Sequence, residues 1–296
     1  DQITLAELLR KAGYHTGIVG KWHLGDCYPM RAIDKGFQEA LVHNGGGLRQ
    51  PGSFTLNNGY FDPDLMHNGK IVTRQGYCTD IYTDAAIDYI EQHKSEPFFV
   101  YLATNAPHTP LEIGDEWVKP YLDKGLNDTF ARLYGMVANI DYNVGRVLDK
   151  LDALNLANDT IVIYTSDHGP CPSARHENQS RFNAGLRGLK TEMYEGGLRV
   201  PSFWRWPEHF KAGVDLDDIA NPIDIMPTIA QACGVSLPTD RTIDGVSLLP
   251  LLQGEVNDWP DRSLFFQWHR GNEPVRYRTY AATAQRYKLT RPDKHK

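Results

Sequence analysis

The chain is poor in cysteine. Cys27, Cys78, Cys171 and Cys233 stand far apart in 296 residues and form no C-x-x-C pair. Neither a disulfide scaffold nor a thiolate zinc site is therefore readable, and the redox compartment stays open. Long apolar runs are missing as well. The longest stretches, such as "PFFVYLA" (97–103), are far too short to cross a bilayer. There is no polybasic block: the net charge is −6, with acidic and basic residues interspersed, so a nucleic-acid partner has little electrostatic support. Internal repeats and low-complexity segments are absent too. The opening residues show neither the charged leader nor the apolar core of a signal peptide. They read instead as an amphipathic helix, an abrupt beginning for a folded domain, and the reading expects a segment before Asp1.

What is present suits a soluble globular protein with a real core: 41% hydrophobic and 23% charged residues. Ile3, Leu5, Leu8, Leu9 and Ala12 give a helical stripe ending at Gly13, followed by a buried strand, "HTGIVG" (15–20), and the polar loop "KWHLG". A second helix is expected over about 79–93, with the strand "PFFVYLA" and the loop "TNAPHTP" after it. The longest helix is expected over about 129–155, where apolar residues recur every three or four positions, before "DTIVIYTSDHG". Three helix–strand–loop passages predict an α/β fold with a mainly parallel sheet flanked by helices, and ligand sites beyond the carboxyl ends of its strands. Residues 31–75, rich in Gly, Asn and Pro, read as a long irregular insert that walls a site. A helix is expected to open near Asp224. The texture changes near residue 254, which predicts a core over 1–254 and part of a small β-rich subdomain over 255–296, with a hairpin at its end.

Several polar segments fall where such a sheet would place a site. In "TSDHGP", Asp167 and His168 end an apolar strand, which suits a metal ion as well as it suits an Asx-type turn. Lys21 and His23 are two residues apart and project to one side of an extended loop, either as a cationic pair for an anionic substrate or as solvated surface groups. His108 lies between two prolines that stiffen its loop. "LRGLKTEMYEGGLRVP" offers Lys190, Glu195 and Arg199 beside a Gly-Gly turn.

Taken together, these blocks resemble the sulfatase family of the alkaline-phosphatase superfamily. The resemblance rests on "TLAELLRKAGYHTGIVGKWHLG", "NAPHTP", "IYTSDHGP", "LRGLKTEMYEGGLRVP" and "PIDIMPTIAQACGVSLP" with "DGVSLLPLL", and the later "QRYKLTR" resembles the hairpin of the family's C-terminal subdomain. It implies an alkaline-phosphatase-like fold and a sulfuric ester hydrolase acting on sulfate monoesters, including those of carbohydrates. Asp167 and His168 would hold a divalent metal, usually calcium, although many members carry Asn in place of His168. Lys21 and Lys190 would contact sulfate oxygens. His108 would bind sulfate and, with Lys190, protonate the leaving alcohol, while His23 would help break down the covalent sulfate intermediate. The resemblance also implies a formylglycine nucleophile, two further acidic metal ligands upstream, and export to the periplasm or exterior. A phosphate or phosphonate ester hydrolase of the same superfamily and a non-catalytic relative are the alternatives.

One segment imitates the missing nucleophile. Cys27, Pro29 and Arg31 spell C-x-P-x-R, the pattern at which sulfatases form formylglycine. In the family, however, that pattern opens a helix upstream of this point, where the helix N-terminus stabilises negative charge. Here "AIDKGF" follows, and Pro29 and Gly36 predict a loop. Cys27 is therefore read as a decoy and the chain on its own as inactive. Cys171, in "CPSAR", has its proline one position too early for the motif.

Overall fold

The computed structural model describes residues 2–49, 57–171, 175–176, 179–256, 259–273, 275–276 and 278–292. The chain divides into two compact units, Asp1–Ala157 with Val235–Leu237, and Asn158–Gly234 with Pro238–Lys296. Among the described residues no helix is long and apolar enough to cross a membrane.

The first unit opens with helix α1 (Leu5–Lys11), started by a capping box. The Thr4 hydroxyl accepts from Glu7 N at 3.0 Å, and the Glu7 carboxylate accepts from Thr4 N at 2.7 Å, so two otherwise orphaned donors are satisfied. Strand β1 (His15–Lys21) follows, then β2 (Glu39–His43), β3 (Asp64–His67), β4 (Lys70–Thr73), helix α2 (Cys78–Gln92), β5 (Phe98–Ala103) and helices α3 (Asp115–Leu122) and α4 (Asp128–Ala153). The five strands form one sheet in the order β4-β3-β2-β1-β5. β1 lies parallel to both β2 and β5, while β2–β3 and β3–β4 pair antiparallel.

The α/β class is as expected, and the sheet is mixed. The described part of 31–75 is not an irregular insert: it contributes β2, β3 and β4, and residues 50–56 lie outside the described residues. These strands are only four or five residues long and sit in a background of turn residues, which hides their period-two pattern. Alternation along β1 and β2 feeds two cores. Ile18, Ala40 and Val42 pack with Ala6 of α1, Trp22 and Phe37, whereas Val19 and Leu41 face a larger cluster with Tyr82 and Ala86 of α2 and Met136 and Ile140 of α4. α2 and α4 are joined by a polar network in which Asn139 and Asn143 donate to Asp80 at 3.0 and 2.7 Å, and Arg146 pairs with Asp84.

In the second unit, β6 (Val162–Thr165) precedes two short strands, β7 (Arg175–His176) and β8 (Gln179–Ser180), then helix α5 (Glu195–Leu198) and β9 (Ser202–Arg205). β6 pairs antiparallel with β9 in a two-stranded sheet, a departure from the expected third parallel strand. Helices α6 (Ile225–Ala232) and α7 (Leu249–Leu252) follow. The β-rich piece expected after residue 254 consists of β10 (Leu264–Gln267), β11 (Tyr280–Thr283) and β12 (Lys288–Arg291), an antiparallel meander that includes the expected hairpin. Fully buried Asp224 organises this unit: it accepts from Asn221 N at 2.8 Å, Val246 N at 2.9 Å and Arg262 Nη1 at 2.8 Å.

Candidate active site

The first unit gathers Lys21, His23 and His108 with a fourth cationic-type residue, His43, at the carboxyl ends of β1, β2 and β5. Gly20 permits the approach: a Cβ there would stand 2.0 Å from the Ala103 carbonyl oxygen, and its φ of +109° suits glycine. β1 and β5 thus end close together, which sets Lys21 beside the loop that follows β5. Lys21 is the register partner of His43 across β1 and β2. His23 follows with a left-handed backbone (φ 56°) and an exposed side chain. His108 is half-buried, and its Nδ1 lies 2.7 Å from the Thr109 carbonyl oxygen. A carbonyl only accepts, so Nδ1 carries the proton and Nε2 is left as the available nitrogen.

The surroundings fix this loop from beneath. The hydroxyl of fully buried Tyr60 donates to the His108 carbonyl at 2.7 Å and accepts from Asn105 Nδ2 at 3.2 Å. Burial lowers His43 to about 4; Asn105 offsets part of this, and the charges of Lys21, His23 and His108 lower it further. His43 is therefore a neutral imidazole next to a lysine. Its Nε2 and the Asn105 Oδ1 are both buried without a hydrogen bond of good geometry. Sequence reasoning missed His43, Asn105 and Tyr60. His43 closes an apolar strand, and Tyr60 lies in the stretch read as irregular.

The second unit carries Asp167, His168 and Lys190. The backbone of the loop after β6 is stitched to the Lys190 segment: Lys190 N donates to the Pro170 carbonyl at 2.7 Å, and Gly169 N to the Gly197 carbonyl at 3.0 Å. Gly169 is needed here, because a Cβ would come within 1.8 Å of the Gly196 carbonyl oxygen. His168 Nδ1 lies 2.8 Å from the Gly169 carbonyl oxygen, so its Nδ1–H is committed, and Nε2 lies 3.1 Å from Asp167 Oδ2. A histidine ligand commonly donates its second N–H to a carbonyl in this way. The lone pair and carboxylate oxygen thus fit two neighbouring positions on a divalent ion. The mixed N/O set is softer than the all-oxygen set calcium favours.

Cys27 lies in a turn, its carbonyl accepting from Met30 N at 2.7 Å, and is exposed. No α-helix starts at it; the next element is a three-residue 3₁₀ turn, Ala32–Asp34. Arg31 forks onto Asp34 at 2.7 and 2.8 Å. Cys171 is also exposed, and residues 172–174 after it lie outside the described residues.

The sulfatase family model matches residues 1–235, and a model of the N-sulphoglucosamine sulphohydrolase C-terminal region matches 189–294. The chain belongs to the sulfatase family. It is 32% identical over 276 residues to human N-acetylgalactosamine-6-sulfatase, covering 86% of this chain and 49% of that protein. To the uncharacterized sulfatase YdeN of Escherichia coli (strain K12) it is 31% identical over 278 residues, 88% of this chain and 48% of that one. The crystal structure of Ps i-CgsB in complex with k-i-k-neocarrahexaose superposes with a TM-score of 0.85 at 28% identity, covering 97% of this chain and 64% of that one. The chain spans about half the length of the curated relatives it matches.

Proposed function

We propose that the whole protein is a sulfatase that hydrolyses sulfate monoesters of carbohydrates and works outside the cytoplasm. The observation that carries this reading is the cluster of Lys21, His23 and His108 at the carboxyl ends of β1 and β5, with neutral His43 behind it, in a chain of the sulfatase family. A sulfate monoester is a compact anion that fixed cations can hold, and as its ester bond breaks the bonding pair leaves with the alcohol oxygen, where a proton donor neutralises the developing charge. In this reading Lys21 and Lys190 hold sulfate oxygens. His108 presents Nε2 to the ester oxygen and, after taking up a second proton there from solvent, passes it with Lys190 to the leaving alcohol while Nδ1–H stays on the Thr109 carbonyl. His23 exchanges a proton on the nucleophile's side.

Asp167 and His168 would hold the divalent ion, calcium in most of the family. When bound, the ion polarises sulfate oxygens, and a formylglycine supplied by a segment outside these 296 residues contributes the oxygen nucleophile. The relatives support a carbohydrate as the alcohol: one is named for N-acetylgalactosamine 6-sulfate chemistry, and another was crystallised with a neocarrahexaose.

The test is sulfate release by the whole gene product, produced with the formylglycine-forming machinery, from sulfated hexosamines and carrageenan oligosaccharides. The expected result is release that falls by about a hundredfold or more when Lys21, His108 or Lys190 is replaced by Ala. Faster hydrolysis of a matched phosphate ester, or no release from any sulfated sugar, would overturn it.

A further inference from the structure

The opposite end of β1 carries a second group of chemistry-bearing side chains. His15 opens β1, His93 caps α2 at its C-terminus, and Glu96 lies in the turn from α2 into β5. Backbone hydrogen bonds hold the three segments together: His15 N to Pro97 O at 2.8 Å and Glu96 N to His93 O at 3.0 Å. Glu96 Oε2 stands 3.2 Å from His15 Nε2 and 3.4 Å from His93 Nδ1. The three donor atoms all lie within 4.8 Å of one another.

We propose that His15, His93 and Glu96 form a binding site for a borderline first-row divalent cation, zinc before others. A tetrahedral zinc ion with bonds of about 2.1 Å sets its donors about 3.4 Å apart, close to the two separations seen here. Two imidazole nitrogens and one carboxylate oxygen select zinc, copper, nickel or cobalt over calcium or magnesium. The two rings are stacked, with centroids 4.2 Å apart and planes at 20°. Binding therefore turns one ring out of the stack, and His15 is the one to turn: it is the more exposed, whereas the His93 ring also rests on Tyr89 at 4.5 Å between centroids.

The position left open on the ion has somewhere to face. His15 and His93 line a cavity of about 310 Å³ together with Gly17, Tyr89 and a second pair, His67 with Glu39. The Tyr89 hydroxyl is buried there without a hydrogen-bond partner, and the tip of its ring sits 3.0 Å from where a Cβ of Gly17 would be. An ion-bound water in this cavity would give that hydroxyl its missing partner. His15 and Lys21 are the two ends of β1, about 20 Å apart along an extended strand. The site does not depend on the sulfatase reading.

The experiment is a zinc titration of the 296-residue chain by calorimetry, with calcium in excess, in the unsubstituted chain and in His93→Gln, Glu96→Gln and Asp167→Ala. One zinc is expected to bind, about tenfold or more weaker in His93→Gln and in Glu96→Gln and unchanged in Asp167→Ala. No zinc binding, unchanged affinity in His93→Gln, or loss only in Asp167→Ala would each overturn the proposal. A readout on the unsubstituted chain guards against variants that fail to fold: zinc should protect His15 and His93 from diethyl pyrocarbonate, read by peptide mass. Equal modification with and without zinc would overturn it as well.

Discussion

Lys21 and His43 are register partners across the parallel pair β1–β2, a lysine set opposite a buried imidazole at the carboxyl ends of two interior strands. Both follow from the run of the strands: each is the last residue of an apolar segment, so the chain leaves the core at the same level in both. The pairing is tolerated because His43 stays neutral. Burial is the larger cause, and the charges of Lys21, His23 and His108 add to it. The cluster thus sets a lysine at the strand end, and the imidazole behind it contributes polar atoms without charge.

That arrangement sets a pH dependence. His43 has a folded pKa of about 4 against 6.5 for a free imidazole. Between those values the unfolded chain binds a proton that the folded chain refuses. Stability from this group is complete above about pH 6.5 and drains away as pH falls toward 4. The full span is worth about 3 kcal/mol. Urea denaturation of the unsubstituted chain and of His43→Gln at pH 7, 6 and 5 should show the loss on acidification shrinking in the variant. Parallel curves would show that His43 is not the group responsible.

Asp224 and Arg262 supply a second prediction. The carboxylate is fully buried, and two backbone amides and the guanidinium fill its acceptor positions. Removing one partner of such a pair leaves an uncompensated charge and costs about 3–5 kcal/mol. Arg262→Leu and Asp224→Leu should each destabilise by that order, and the double variant by clearly less than their sum. Chemical denaturation of the four proteins closes the cycle, and additive losses would mean that the two residues act independently.

How much of this was legible beforehand depended on range. α1, α2 and α4 were read within a residue or two because an apolar stripe repeated over several turns is a local signal. β2, β3 and β4 were lost among turn residues, and β6 could be seen as a strand while its antiparallel partner β9, some forty residues on, could not. The individual residues Lys21, His23, His108, Asp167, His168 and Lys190 came from local motifs. Their supports did not: Tyr60 meets His108 and Asn105 across 48 and 45 residues, and Asp224 meets Arg262 across 38. No short pattern encodes such a contact.

Gly169 is one local residue whose necessity only the packing reveals. Its Cα faces the Gly196 carbonyl so closely that a methyl group would stand 1.8 Å from the oxygen, and the obstacle is backbone, which cannot swing aside. Gly169→Ala should push the Asp167–His168 loop away from the Lys190 segment and cost about 1–3 kcal/mol or more. Thermal melting should register the loss. In the whole protein, half-saturation by the divalent ion should shift to higher concentration. A variant with unchanged melting and metal affinity would show that the loop relaxes freely.

The Cys27 segment yields the last prediction. Its loop is closed from inside by Trp22, whose Nε1 lies 3.1 Å from the Gly25 carbonyl and 2.9 Å from that of Met30, while Arg31 is held by Asp34. The Cys27 sulfur takes no part in this closure, is exposed, and has no helix N-terminus behind it. Cys27→Ala should therefore change stability by less than about 0.5 kcal/mol. Sulfate release by the whole gene product should be unaffected. Trp22→Phe, which removes the donor shared by two carbonyls, should cost about 1–3 kcal/mol and loosen the loop that carries His23. Peptide mass spectrometry after expression with the formylglycine-forming machinery gives an independent reading: Cys27 should be recovered as an intact, alkylatable thiol. Recovery as the aldehyde, or loss of sulfate release in Cys27→Ala, would make Cys27 the nucleophile after all.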